Sequence, residues 1–121
     1  MFDIPLTITR GLSFGPVLVY CKDAQGAAFP LSGWKAFAEI RHDPGLHRPR
    51  VLVCNLAPVI AENDTAGLVT IPAIGHAATA LFNECEDAWD LILEDASGYR
   101  SLPVAGGVVT IESINTQPVP A

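Results

Sequence analysis

The fold is decided by residues 86–111, which read EDAWDLILEDASGYRSLPVAGGVVTI. Every second residue from Trp89 to residue 93 is apolar. The alternate positions hold Asp90 and Glu94, with Ile92 as the one apolar exception among them. A period of two with this contrast is typical of a strand that buries one face and exposes the other. We therefore predict that this segment contains the central strand of a small β-domain.

The residues after this strand predict a tight reversal and a return. Residues 95–98 read DASG; aspartate and serine favour turns, and glycine accepts positive φ. We expect the chain to return along residues 99–104, and the β-branched run at residues 108–111 to supply a further strand. Together these pieces predict a central β-meander.

The size and composition of the chain limit the classes of protein it can be. At 121 residues and 12.8 kDa it has room for one domain with one core. Half of the residues are apolar and 17% are charged, too few charges for a disordered tail. Membrane-length apolar runs and the basic and hydrophobic segments of a signal peptide are both missing. We expect a globular domain made in a cytoplasm, without a membrane partner.

Charge is distributed unevenly along the chain. Residues 1–60 carry six basic and four acidic side chains, a net +2, whereas residues 61–121 carry one basic and nine acidic, a net −8. If the halves interleave as neighbouring strands, their charges partly neutralise one another. The alternative is that copies meet basic end to acidic end, which would orient an assembly. A basic stripe with interleaved aromatics is missing, which disfavours nucleic-acid binding.

The rest of the chain predicts a sandwich of two sheets. Short alternating segments are separated by turn residues, which favours an all-β fold: a single immunoglobulin-like two-sheet β-sandwich of about seven to eight strands. We expect this domain to span residues 1–112 and an extended tail to follow at 113–121. Outside the central meander, strands are predicted at residues 4–10, 14–22, 34–42, 51–60 and 67–72, of which 51–60 is interrupted by Pro58.

One segment, residues 73–83, has a helical rather than a strand period. Its apolar residues lie three or four positions apart, which predicts one or two helical turns that cross between the sheets. The residues in this pattern are Ile74, Ala77, Ala78, Leu81 and Phe82.

The chain has three cysteines, so two of them could form a disulfide. Cys21, Trp34 and Cys85 have roughly the spacing of the immunoglobulin cysteine–tryptophan–cysteine motif. Asn83 stands where that motif has tyrosine, and Cys85 is expected in an acidic turn before its strand. We therefore favour reduced, buried thiols over a Cys21–Cys85 bond.

Candidate metal sites can be drawn, but their spacing argues against them. His42, Asp43, His47 and Cys54 match no finger or helical ligand pattern, and the prolines and glycine of residues 43–50 leave the loop geometry unset. The oxygen ligands of residues 62–65 miss the EF-hand spacing, so a plain turn is expected there. We predict no metal site and no cofactor.

Catalytic and sugar-binding patterns are similarly weak. Asp87 with Asp90, or Asp90 with Glu94, would be an acid–base pair for glycoside hydrolysis, but acidic residues on an outer strand face are usually solvated. Trp34 and Trp89 are in phase with apolar neighbours, which favours core packing over a sugar-stacking platform. We predict that the chain has no catalytic residues and is not an enzyme.

Several strand-and-turn motifs resemble a known family over about residues 6–112. They are Thr7-Ile8-Thr9-Arg10-Gly11, Asp23-Ala24-Gln25-Gly26, Leu31-Ser32-Gly33-Trp34, Gly67-Leu68-Val69-Thr70-Ile71-Pro72-Ala73, Ala88-Trp89-Asp90-Leu91 and Asp95-Ala96-Ser97-Gly98. In these motifs the chain is similar to small tailed-bacteriophage structural proteins, specifically the N-terminal β-sandwich domain of baseplate upper proteins. The resemblance implies a virion protein that is assembled in the host bacterial cytoplasm and carries no chemistry of its own.

The expected function is therefore structural. We predict a tail, baseplate or fibre-adaptor component that contacts other virion proteins and copies of itself as a homo-oligomer. The alternatives are a capsid decoration or cement protein of the same kind of particle, and a carbohydrate- or receptor-binding module. Contacts are expected along edge strands, apolar outer residues and the tail. The predicted contact residues are Leu18, Tyr20, Phe37, Arg48, Arg50, Pro118, Val119 and Pro120.

Overall fold

A computed structural model describes residues 2–46 and 48–113, which form eight β-strands and one short helix. In chain order these are β1 (Phe2–Asp3), β2 (Leu6–Thr9), β3 (Val17–Tyr20), β4 (Lys35–His42), β5 (Val51–Asn55), β6 (Leu68–Ile71), α1 (His76–Thr79), β7 (Cys85–Glu94) and β8 (Ala105–Glu112). The predicted tail, residues 113–121, lies outside the described residues except for Ser113.

The strands form one large and one small sheet, which confirms the predicted all-β sandwich. The large sheet has the order β1-β8-β7-β4-β5, with β2 also on β8, and the small sheet pairs β3 with β6. All pairings are antiparallel except those of β1 and β2 with β8. The neighbours β8, β7, β4 and β5 follow the G-F-C-C′ order of variable-type immunoglobulin domains, and β3–β6 corresponds to their B–E pair.

The core lies between the two sheets and follows the predicted alternation of β7. Trp89, Leu91 and Leu93 are almost fully buried, whereas Asp90 on the other face is exposed. They pack in one cluster with residues of the small sheet, among them Val69 and Ile71. Since burying one large apolar side chain is worth about 1.5–3 kcal/mol, this strip contributes strongly to the stability of the domain.

Trp89 also ties the large sheet to the N-terminal strands. Its indole Nε1–H donates a hydrogen bond to the Ile4 carbonyl at 2.8 Å, between β1 and β2. The neighbouring strand β8 passes close by because it has glycines here. A Cβ on Gly106 would lie 2.5 Å from the Trp89 carbonyl oxygen, and one on Gly107 would lie 2.8 Å from the Ile4 carbonyl oxygen. This crowded junction explains why the two glycines interrupt an otherwise β-branched strand.

Asp64 connects the small sheet to the loop before β4. Its buried carboxylate accepts hydrogen bonds from the backbone N–H groups of Leu31, Gly67 and Leu68, at 2.8, 2.9 and 3.3 Å. Burial by itself raises the pKa of this carboxyl, but hydrogen bonds from Leu31, Leu68, Gly67 and Ala66 together outweigh that effect and lower it. The plain turn expected at residues 62–65 therefore has a structural role that the sequence analysis missed.

The return from β7 differs from the predicted meander. Residues 99–104 contain no strand; the chain keeps single backbone bonds to β7, from Ser101 and Val104, before β8 begins at Ala105. Pro103 has no N–H to donate, so a continuous ladder is interrupted there. The result is one long strand, β8, in place of two short ones.

One other predicted strand ends early, and the predicted crossover takes the shorter of its two expected lengths. The strand predicted at residues 51–60 ends at Asn55, because Ala57 has a positive φ of 49° and Pro58 follows. The crossover has a single helical turn, α1, and its buried residue is Thr79, whose hydroxyl donates to the Leu12 carbonyl at 2.8 Å.

The predicted helical crossover is present as one turn, but its apolar residues do not share one buried face. Phe82 is buried, but Ala77 and Ala78 are exposed and 84% of Leu81 is accessible to solvent. The helical period stops after one turn, and the following residues no longer point in the direction that the period predicts.

The three cysteines are free, as favoured above, but of these expected buried thiols Cys21 alone is buried, whereas Cys54 and Cys85 are half-buried. Cys85, however, is the first residue of β7 and not part of a turn before it, which corrects the earlier expectation. It therefore belongs to the same alternating face as Trp89.

Replacing Trp89 with Phe removes the hydrogen bond to Ile4 and leaves a partly buried carbonyl without its donor. We expect Trp89→Phe to lower the free energy of unfolding by about 1–3 kcal/mol, measured by urea denaturation. Trp34→Phe is the control, because Trp34 is only partly buried at the margin of the core and packs edge-to-face on Phe29. An equal loss in both variants would contradict the role given to the Trp89 hydrogen bond.

The lowered pKa of Asp64 predicts how stability depends on pH. Its contribution is fully present above the pKa of aspartate in an unfolded chain, about 3.9, and is lost as the pH falls through the lower folded pKa. Asp64→Asn should therefore lower the urea midpoint at pH 7, with a smaller difference from wild type at pH 3. Glu62→Gln removes an exposed carboxylate of the same turn and should keep the wild-type midpoint at both pH values.

Candidate functional site

The outermost strand of the large sheet, β5, presents an apolar edge. One side of β5 pairs with β4, and its other side has no strand partner within residues 2–46 and 48–113. Val51 and Leu52 are 54% and 48% exposed, and the strand contains neither lysine nor proline, the residues that commonly protect sheet edges. We call Val51–Asn55 and the exposed Leu81 beside it the β5 edge.

A cavity of about 380 Å³ lies beside the β5 edge. Its apolar wall comes from β5 and from the segment after α1, and its polar wall comes from the ends of β4 and β7. The lining residues are His42, Val51, Leu52, Val53, Leu81, Phe82, Asn83, Cys85 and Asp87.

Strand register explains why three polar side chains meet in this cavity. Cys85 and Asp87 precede Trp89 by four and two residues, so the period of two puts them on the same inner face of β7. On β4, Arg41 pairs with Ala88, and His42 follows one position further, next to Asp87. Two neighbouring strands therefore present an imidazole, a thiol and a carboxylate to the same space.

The distances in this group are short. His42 Nδ1 lies 2.7 Å from Asp87 Oδ1, and Cys85 Sγ lies 3.3 Å from both carboxylate oxygens of Asp87. The potential ligand atoms of the three residues all lie within 4.8 Å of one another. Among the described residues this is the one group of three or more His, Cys, Asp or Glu side chains with such spacing.

Burial differs sharply within the group. The Asp87 side chain has no exposed surface, whereas that of His42 is 41% exposed. Burial raises the pKa of the Cys85 thiol, and the hydrogen bond and negative charge of Asp87 raise it further. The thiol is therefore protonated at neutral pH and can donate its proton to the carboxylate.

The predicted contact residues occupy separate parts of the surface. Leu18 and Tyr20 are half-exposed on the outer face of β3. Phe37 is 40% exposed on the outer face of β4, on the opposite side of the sandwich, and the Arg100 guanidinium lies 4.8 Å from its ring centre. Arg48 and Arg50 are exposed just before β5. Pro118, Val119 and Pro120 lie outside the described residues.

The side chains considered for acid–base catalysis do not form the suggested pairs. Asp87 faces inward and Asp90 outward, so the two carboxylates lie on opposite faces of β7. Glu94 shares the outer face with Asp90 but is paired with Arg100 at 3.1 Å. Trp89 is buried, which confirms core packing for this ring.

Of the metal ligands drawn from the sequence, His42 belongs to the group that the structure brings together. Cys54 pairs across the sheet with Ile40, and His47 lies outside the described residues. Cys85 and Asp87 were not predicted from the sequence as neighbours of His42. Their phase with Trp89 was a usable signal, but Asp87 is 45 positions from His42 along the chain, and only the register of β4 on β7 joins them.

No protein-family model matches the chain, and no curated protein matches its sequence. Within the described residues, none of the helical structure is long and apolar enough to cross a bilayer.

Proposed function

We propose that this chain is a non-enzymatic structural protein that acts through protein–protein contacts in a multi-copy assembly. The observation that carries this proposal is the β5 edge, which has no strand partner on its outer side among the residues that the structure describes and is flanked by exposed apolar side chains. The resemblance to baseplate upper proteins makes a tailed-bacteriophage particle, assembled in the host cytoplasm, the assembly we favour. Within it we favour a tail, baseplate or fibre-adaptor position over capsid decoration.

Backbone groups on the outer side of β5 can pair with a strand of a neighbouring subunit. Such pairing satisfies the N–H and C=O groups of both strands, and the exposed side chains on them supply specificity. Pairing would remove the exposed apolar surface of Val51 and Leu52 from water, which is favourable. The exposed Leu81 lies beside them at the cavity. Monomeric proteins usually blunt such edges, which supports a role for this one in contacts.

A second apolar patch makes multi-copy assembly geometrically reasonable. Phe2, Leu18 and Tyr20 are each about half exposed and line a shared surface depression with Asp3. This patch involves β1 and β3, whereas β5 lies at the other end of the large sheet. Two different surfaces on one chain allow each copy to contact two neighbours, as rings and filaments require.

The other functions weighed above have less support. The sugar platform drawn on the tryptophans loses one of its two rings, because Trp89 is in the core. For glycoside hydrolysis, Asp87 and Asp90 would need to flank one cleft, but they face opposite ways.

The substitution Leu52→Lys tests the β5 edge. Leu52 pairs with Arg41 on the outer face, so lysine there leaves the core intact and adds the charge that protects natural edges. We expect wild-type protein to associate in light scattering over a concentration series, and Leu52→Lys to weaken that association at least about tenfold, equivalent to about 1.4 kcal/mol.

Gln25→Lys is the matched control, since it adds the same charge to the exposed turn after β3. It should associate like wild type, and circular dichroism should show the same fold in all three proteins. Wild-type protein that stays monomeric at every concentration, or association that Leu52→Lys leaves unchanged, would contradict self-assembly through this edge.

A further inference from the structure

We propose that His42, Cys85 and Asp87 bind one thiophilic divalent cation of the zinc class at the rim of the sandwich. This inference does not depend on the proposed assembly function. It rests on the geometry and burial of three side chains of different chemistry, held by two paired strands.

The buried carboxylate of Asp87 needs a compensating positive charge. A carboxylate with no exposed side-chain surface is costly unless a positive group compensates it. Within the described residues, the salt-bridge partner of Asp87 is His42, and neither arginine nor lysine reaches it. A divalent cation held by one carboxylate, one thiolate and one neutral imidazole forms a site of zero net charge, which removes the cost of the buried ion.

The separations of the candidate ligand atoms are close to those around a tetrahedral zinc ion. Around a tetrahedral zinc ion with bonds of about 2.0–2.3 Å, neighbouring ligand atoms lie roughly 3.3–3.6 Å apart. The nitrogen–oxygen distance of 2.7 Å, the sulfur–oxygen distances of 3.3 Å and the limit of 4.8 Å for the whole group bracket that range. Small side-chain rotations are therefore enough to complete the geometry, and the β4–β7 ladder keeps the backbone positions fixed.

The types of ligand favour a metal of the zinc class, and their number leaves one coordination position open. Thiolate and imidazole favour zinc and similar ions, whereas magnesium and calcium prefer oxygen ligands alone. Three protein ligands leave a fourth position, which suits a site on the wall of the cavity beside β5. When the metal–sulfur bond forms, the Cys85 thiol loses its proton to solvent, and the fourth position takes a water molecule.

Cobalt(II) titration of the full chain tests the proposal. Protein without a polyhistidine tag is reduced, stripped of metal with a chelator, and titrated with Co²⁺ while its absorption spectrum is recorded. We expect saturation at one equivalent, with tetrahedral ligand-field bands and a thiolate-to-cobalt charge-transfer band. One equivalent of Zn²⁺ should then abolish both signals.

Substitutions assign the ligands. Cys85→Ser should lose the charge-transfer band and bind at least about tenfold more weakly, and His42→Gln should weaken binding similarly. Cys54→Ser is the matched control, since Cys54 is a half-buried thiol on β5 outside the group, and it should keep the wild-type spectrum. Circular dichroism of each metal-free variant checks the fold.

Wild-type protein that shows no saturable charge-transfer band would overturn the proposal without reference to any variant. So would a band that survives in Cys85→Ser or disappears in Cys54→Ser. His42 is partly exposed, so His42→Gln remains informative even if Cys85→Ser fails to fold.

Discussion

The structure depends on one constraint: β7 lies in the interior of its sheet, so it must bury one face and hydrogen-bond along both edges. It pairs with β4 on one side and β8 on the other, and its inner residues Trp89 and Leu91 reach the small sheet through the shared core. This double constraint fixes the register, because a slip by one residue would turn Asp90 into the core and Trp89 out of it.

The two sheets are joined by polar groups as well as by apolar contact. Asp64 collects three backbone N–H groups from the loop before β4 and the start of β6. Gly67, one of these donors, has a φ of 72°, and a Cβ there would collide with the Cys21 carbonyl oxygen. An anchored carboxylate and a residue without a side chain thus allow the small sheet to approach the rest of the domain closely.

Alternation along the sequence predicted the strands and their inner faces, because each choice of face is a local property. It identified Trp89 and Leu91 as buried and Leu18 as exposed. It gave the crossover of residues 73–83 as one or two helical turns, of which one is present and ends before Leu81. It failed at the return from β7, where Pro103 was not recognised as an interruption of the predicted strand. The cavity group was missed for a different reason, since sequence gives the face of Asp87 but not the strand that will lie beside it.

The position of that group follows from the unequal lengths of the strands. With a rise of about 3.3 Å per residue, the ten residues of β7 extend about 33 Å, whereas the four residues of β3 or β6 cover about 13 Å. The small sheet therefore cannot cover all of the inner face of β7. The first inward residues of β7, Cys85 and Asp87, lie beyond the small sheet, where the Leu81–Phe82 segment covers them instead.

The part of an inner face that extends beyond its covering sheet can be stable in two ways. It can be polar and solvated, or it can hold buried polar groups that compensate one another. Here the alternation brings a thiol and a carboxylate inward, and the neighbouring strand adds an imidazole, so the end of the sandwich follows the second solution.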